Sequence, residues 1–242
     1  MATTNKPGIF DDKFIKAASP WVVHNGAECW KNLLVHGQQI ILPEGRVLFA
    51  VGSPVPNFYY LHRGEIMMKS FNQEGRQKII WYIEEGNIFA EVPFFCGIPT
   101  FFEIVANRPS EVYKFSREFI FNELIPNYPQ AAIDIIKTLS YKASVLAMQI
   151  HEIVLSTPYK RICRLFYIIG HLYGEPHDEG LLIRKMLTQQ EIADIIGVHR
   201  VTVNKIVNYL HNKGVIKISG RSLLITDLPY LVRAMSELDP IF

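Results

Sequence analysis

Thr188-Gln-Gln-Glu-Ile-Ala-Asp-Ile-Ile-Gly-Val-His-Arg-Val-Thr-Val-Asn-Lys-Ile-Val-Asn-Tyr-Leu210 decides how this chain is read. Thr188 and Glu191 have the spacing of a capping box, in which the threonine hydroxyl accepts from the amide at 191 and the glutamate reaches back. The helix they start carries Ile192, Ala193, Ile195 and Ile196 and stops at Gly197. After Val198-His199 a second helix carries Val203, Ile206, Val207 and Leu210 and ends at Lys213-Gly214. Two short helices about a glycine-containing turn make a helix-turn-helix. Behind them, Val215 to Ile218, Ser219-Gly220-Arg221 and Ser222 to Thr226 read as a hairpin. Such a wing would carry Lys217 and Arg221 to DNA phosphates.

The charge distribution agrees. Net charge is only +2, but from Pro158 onward 11 Lys/Arg stand against 8 Asp/Glu, and before it 14 stand against 15. Arg200, Lys205, Lys213, Lys217 and Arg221 occur with no acidic residue between Asp194 and Asp227. A one-sided basic stretch is the footprint of a polyanion partner, although a solvated face gives the same count.

Upstream of this unit, Ala132, Ile136, Leu139, Ala143, Leu146, Ile150 and Ile153 recur at alternating steps of 4 and 3. That is an a/d seam on one helix over about 129–155, and its length and small residues favour self-pairing over simple core packing. Ser156-Thr157-Pro158 ends this helix, since proline disfavours the α conformation in the residue before it. Ser156 or Thr157 can cap the next helix, an apolar one over Arg161 to Tyr173. A Gly/Pro/Asp-rich loop, Gly174 to Gly180, follows.

Further upstream, Gly64, Gly75, Gly86 and Gly97 are spaced by 11 residues. Short β-branched and aromatic runs lie between them, with Phe71 to Arg76 as a hairpin turn, and this rhythm indicates an all-β roll. The apolar stretches fall far short of the roughly 18 to 20 residues that span a bilayer. Met1 to Lys16 has no apolar leader, so a cytoplasmic chain is expected, with no membrane partner. With 49% hydrophobic residues, 242 residues are enough to bury a real core. Cys29, Cys96 and Cys163 are too scattered for a disulfide framework or a zinc pattern. His24, His36 and His62 lack the tight spacing that a cupin-like metalloenzyme would need, and no catalytic triad or carboxylate pair is recognisable. Neither metal, cofactor nor catalysis is expected.

Together these segments resemble the CRP/FNR superfamily of transcription regulators over nearly the whole length. The strongest signature is Thr188 to Leu210 with Lys213-Gly-Val-Ile216; Tyr59 to Gly64 and Glu85 to Glu91 match the β-roll more loosely. The resemblance implies an α+β chain with an N-terminal double-stranded β-roll of the cyclic-nucleotide-binding kind, a long dimerisation helix and a C-terminal winged helix-turn-helix. The divisions expected are 1–126, 127–157 and 158–242. It also implies a homodimer, double-stranded DNA and RNA polymerase as partners, and effector-driven movement at the hinge near Leu155 to Pro158. The role expected is that of an activator.

Departures from the family narrow the effector. Cyclic-AMP binders carry Gly-Glu followed by Arg-Ser; here the glycine is Ala90, the glutamate is Glu91, and Thr100-Phe101-Phe102-Glu103 has no arginine. A cyclic phosphate would lack its cation, and Glu103 would repel it. An oxygen-sensing [4Fe–4S] cluster needs four cysteines, and the chain has 3. A haem- or redox-responsive regulator stays the rival reading.

Val198-His199, Val201-Thr202-Val203, Arg161 to Tyr167 and a lysine on the dimer helix are similar to the CprK-like regulators of halorespiration. That similarity implies a chlorinated phenol or aryl acid as effector, with Lys142 meeting the phenolate. Ring chlorines lower a phenol's pKa, and a partly buried ammonium rewards the anion. Alternatively, Lys142 is an interhelical salt-bridge residue beside the seam. Trp81, Tyr82, Ala90, Glu91 and Leu139 complete the expected effector set, with Phe89 and Phe94 as further walls or ordinary core. The expected dimer seam comprises Ile136, Leu139, Ala143, Leu146, Ile150 and Ile153.

The expected DNA-reading set is His199, Arg200, Val201, Thr202, Asn204 and Lys205, with Lys217 and Arg221 from the wing. Many family members have Glu where Val201 stands, accepting from cytosine; an apolar side chain there prefers a thymine methyl. Lys205 replaces an arginine that grips guanine and offers only a point charge. Both changes favour an A·T-rich palindrome with half-sites roughly 34 Å apart.

Overall fold

The computed structural model describes residues 21–23, 28–184 and 186–235. His24 and the segment before residue 20 lie outside them. The chain forms two compact units that divide within the long helix, one ending at Ala147 and the other running on from Met148.

In the first unit, β1 (Val22–Val23), β3 (Val47–Phe49), β5 (Glu65–Phe71), β6 (Gln77–Glu84) and β8 (Glu103–Ala106) form one sheet, in the order β1-β6-β5-β8-β3. A second sheet takes β2 (Gln38–Leu42), β9 (Ser110–Phe115), β4 (Phe58–Arg63) and β7 (Asn87–Phe89) in that order. Every pairing in the two sheets is antiparallel except β1 with β6. Their inner faces share an aromatic core, in which Trp30 stacks on Phe58 at 4.9 Å and meets Phe115 edge-on at 5.3 Å.

The glycine rhythm is the rhythm of the turns: Gly64, Gly75, Gly86 and Gly97 have φ of +96°, +77°, +82° and +65°. At Gly64 a side chain has no room, because a Cβ would come 2.5 Å from the Pro109 carbonyl oxygen. Ala90 takes the same left-handed conformation, at φ +58°, without being glycine. An L-residue there costs roughly 1–2 kcal/mol. It immediately precedes α1 (Glu91–Cys96).

The long helix α2 runs Pro129–Leu155, as the heptad spacing predicts. Its buried stripe is Ala131, Ile135, Thr138, Lys142, Val145, Gln149 and Glu152. That stripe sits one residue before the apolar seam read from the sequence. The covered face therefore carries four polar residues, while Ile136, Ile150 and Ile153 are 62%, 63% and 52% exposed.

The second unit continues with α3 (Pro158–Tyr173), α4 (Gln189–Ile196), α5 (Arg200–Asn212) and α6 (Leu228–Ala234). Thr157 caps α3 by accepting from the Lys160 amide, and Thr188 and Glu191 form the reciprocal capping box at α4. Ending α4, Gly197 is left-handed at φ +77°. The predicted wing is β12 (Ile216–Ser219) with β13 (Ser222–Ile225). One expectation is corrected: Gly174 to Gly180 is no open loop, because β10 (Glu175–His177) and β11 (Gly180–Ile183) pair as a hairpin that joins the wing sheet. Gly180, at φ +144° and against the Ile225 carbonyl, permits that close approach.

Candidate effector cavity and nucleic-acid interface

In the first unit a cavity of about 130 Å³ opens between β5, β6, the segment after α1 and helix α2. The engineered apolar cavity that accepts benzene measures roughly 150 Å³, so the space suits a single ring. Its walls are largely apolar, with Met68 and Trp81 from the strands, Phe101 and Phe102 from the following loop, and Leu146 from α2. Trp81 is anchored by its indole N–H, which donates to the Met68 sulfur at 2.9 Å.

At one end sits a buried ion pair. The Lys142 ammonium donates to Glu91 Oε1 at 2.7 Å, to Oε2 at 2.9 Å and to the Ile88 carbonyl at 3.2 Å. Those contacts use all three of its protons. It also lies 5.7 Å from the Trp81 ring centre, within cation–π reach. Lys142 is 4% exposed and Glu91 2%, so both charges are withdrawn from bulk water.

Of the expected effector residues, Lys142, Glu91, Ala90 and Trp81 meet at this cavity. Two do not. Tyr82 is adjacent to Trp81 on a strand and so projects to the opposite face, and it is absent from the walls. Leu139 packs against the β-roll core, and Leu146, one turn beyond Lys142, takes the wall position. Glu103 does not face the cavity either: it pairs with Lys69 at 3.0 Å, so the repulsion expected from it does not act there. Lys142 turns inward to Glu91, not outward from the helix as an interhelical salt bridge would require. Sequence reasoning missed Met68 and Phe102, which nothing local distinguishes from ordinary core.

Among the described residues no group of His, Cys, Asp and Glu is arranged to hold a metal ion, and no helix is long and apolar enough to cross a membrane. Cys29 donates to Asp134 at 2.9 Å, and burial with that contact pushes its thiol up to about 12. Such a thiol stays protonated at neutral pH, whereas oxidation needs the thiolate. Cys163 is fully buried in α3.

In the second unit the capped α4 and the glycine turn hold α5 by its buried face, formed by Val203, Ile206, Val207 and Leu210. Its opposite face exposes Arg200, Val201, Asn204 and Lys205, with His199 at the N-cap. Val201 is 68% exposed on that face. Thr202 is half-buried. Asn208, absent from the sequence-derived set, joins this face by donating its amide to Asn204 at 2.6 Å. The two wing cations differ: Lys217 pairs with Glu179 at 2.5 Å, while Arg221 is exposed at the wing tip.

A buried pair also lies at the end of α2, where Glu152 and the Arg164 guanidinium of α3 form an ion pair. Burial pulls Arg164 down to about 10. Its neighbour Arg161 donates to the Ile196 carbonyl at 2.8 Å, tying α3 to the end of α4.

Comparison with known proteins follows the same division. Residues 39–127 match the cyclic nucleotide-binding domain, and residues 160–234 match the Crp-like helix-turn-helix domain. The CRP-like cAMP-activated global transcriptional regulator of Mycobacterium tuberculosis is 22% identical over 196 residues, covering 81% of this chain and 87% of its own. The global nitrogen regulator of Synechococcus elongatus is 24% identical over 183 residues, or 75% and 82% of the two chains. Among solved structures, OCPA-complexed CprK superposes with a TM-score of 0.72 at 20% identity, covering 88% of this chain and 99% of that one. A CooA mutant from Carboxydothermus hydrogenoformans gives 0.74 at 18% identity, with 87% and 95% covered.

Proposed function

The chain belongs to the CRP/FNR family of DNA-binding transcription regulators and is not an enzyme, and from that premise we propose that it is an effector-gated homodimer acting in the cytoplasm, its effector a small halogenated phenol or aryl acid. The observation that carries the effector reading is the cavity: one ring in size, aromatic-walled, and ended by a lysine. A cyclic nucleotide, with its base, ribose and cyclic phosphate, needs more room than this one-ring cavity offers. The shared fold with CprK, described in complex with OCPA, supports the same class, and with it genes of reductive dehalogenation as targets.

Helix α2 supports the dimer. A helix that buries Thr138, Lys142, Gln149 and Glu152 while exposing Ile136, Leu146, Ile150 and Ile153 is inverted for a lone chain. A second copy packed seam to seam, with Ala143 allowing close approach, rights it. We assign residues 1–126 to effector sensing, 127–157 to dimerisation and the hinge, and 158–242 to DNA.

On DNA, α5 enters the major groove with His199, Arg200, Val201, Asn204 and Lys205 toward base edges and phosphates, and Thr202 at the edge of that set. The target is an A·T-rich palindrome, and RNA polymerase is the partner of the activated complex. Replacing Val201 by Glu is expected to move half-site preference toward a G·C pair, measured by competition between duplexes differing at one position; unchanged preference removes Val201 from the reading set. Arg221→Ala should weaken binding evenly across sequences and reduce the salt slope by about one. Lys217→Ala should do less, because Glu179 already neutralises that lysine.

A further inference from the structure

Resting on the effector class just proposed, a consequence follows from Glu91. Around the cavity that Lys142 lines, β5 and β6 contribute Met68 and Trp81, the loop after α1 contributes Thr100 and Phe102, and α2 contributes Leu146. Among the described residues lining the cavity, Lys142 and Glu91 are the only charged groups, and each neutralises the other. An anionic effector that reaches Lys142 therefore brings a second negative charge into a site with one positive charge. Both anions cannot stay ionised there without water.

We propose that effector entry is a proton trade: the carboxylate of Glu91 gives up Lys142, accepts one proton, and the phenolate takes its place on the ammonium. The balance closes within the site. For a phenol arriving neutral, its O–H bond breaks and a Glu91 O–H bond forms, with no proton exchanged with solvent. For one arriving ionised, the proton comes from water. Glu91 is thus the group that the entering phenolate displaces and the one that takes up the proton.

Two readouts test this together on the full-length protein with a chlorinated phenol as probe. Ultraviolet absorption reports whether the bound ring is phenol or phenolate, and calorimetry in buffers of different ionisation enthalpy counts protons. Below the phenol's own pKa, the bound form should be phenolate with no net proton exchange. Above it, binding should take up about one proton and weaken about tenfold per pH unit. Glu91→Gln should bind phenolate with no uptake above that pKa and without the pH dependence. Phenolate bound by the wild type above its pKa with no uptake would overturn the trade, since Glu91 would then have stayed charged. A bound neutral phenol would overturn it too, since the ion pair would then be unopened. Either result leaves the effector class standing, whereas no binding of any chlorinated phenol removes that class and the trade with it. The wild-type measurements decide the matter even if Glu91→Gln does not fold.

Discussion

Glu152→Ala is expected to cost about 3–5 kcal/mol of stability, because it removes the carboxylate paired with the buried Arg164 guanidinium. The two side chains are each 6% exposed, and burial already pulls the guanidinium down, though not far enough to discharge it at neutral pH. Urea unfolding followed in the second unit measures the loss. The companion variant Glu152→Leu with Arg164→Met removes both charges. It should be near neutral or stabilising by up to about 4 kcal/mol, the usual outcome when apolar groups of similar volume replace a buried pair. If the single variant unfolds no earlier than the wild type, the ion pair is not holding the end of α2 to α3.

Lys142→Ala should be the more damaging change to function. It removes the cation that an anionic effector would meet, and it also strands Glu91, 2% exposed, with no partner for its charge. A loss of about 3–5 kcal/mol in the first unit is expected, together with loss of effector binding. Those effects separate in Lys142→Met with Glu91→Gln, which keeps the volume and removes both charges. That double variant should regain most of the stability and still bind no phenolate. Calorimetric titration with a chlorinated phenolic acid, alongside thermal unfolding, reads both quantities. Binding retained by the double variant would show that the ring is held by the aromatic walls alone.

What the sequence displayed best was local. The capping box of Thr188 and Glu191, the glycine at 197 and the alternating 4 and 3 steps of α2 all depend on neighbours within two helical turns. The family resemblance rested on the same segments. What it concealed was long-range. Lys142 and Glu91 are 51 positions apart, and nothing near either residue marks them as partners. The apolar seam was legible because apolar residues define it. The buried stripe beside it was not, since Thr138, Gln149 and Glu152 look like solvent residues until the fold covers them. Tyr82 was grouped with Trp81 by adjacency, but a strand sends neighbours to opposite faces. The β10–β11 hairpin hid behind Gly, Pro and Asp, because its strands are only 3 and 4 residues long.

Selection of bound duplexes from a random-sequence pool, with and without a chlorinated phenolic acid, tests the central claim most directly. Effector-gated DNA recognition predicts enrichment of one A·T-rich two-fold symmetric sequence, its half-sites about one helical turn apart, and only with the effector present. The same sequence enriched equally without effector, or no enrichment in either pool, would contradict it.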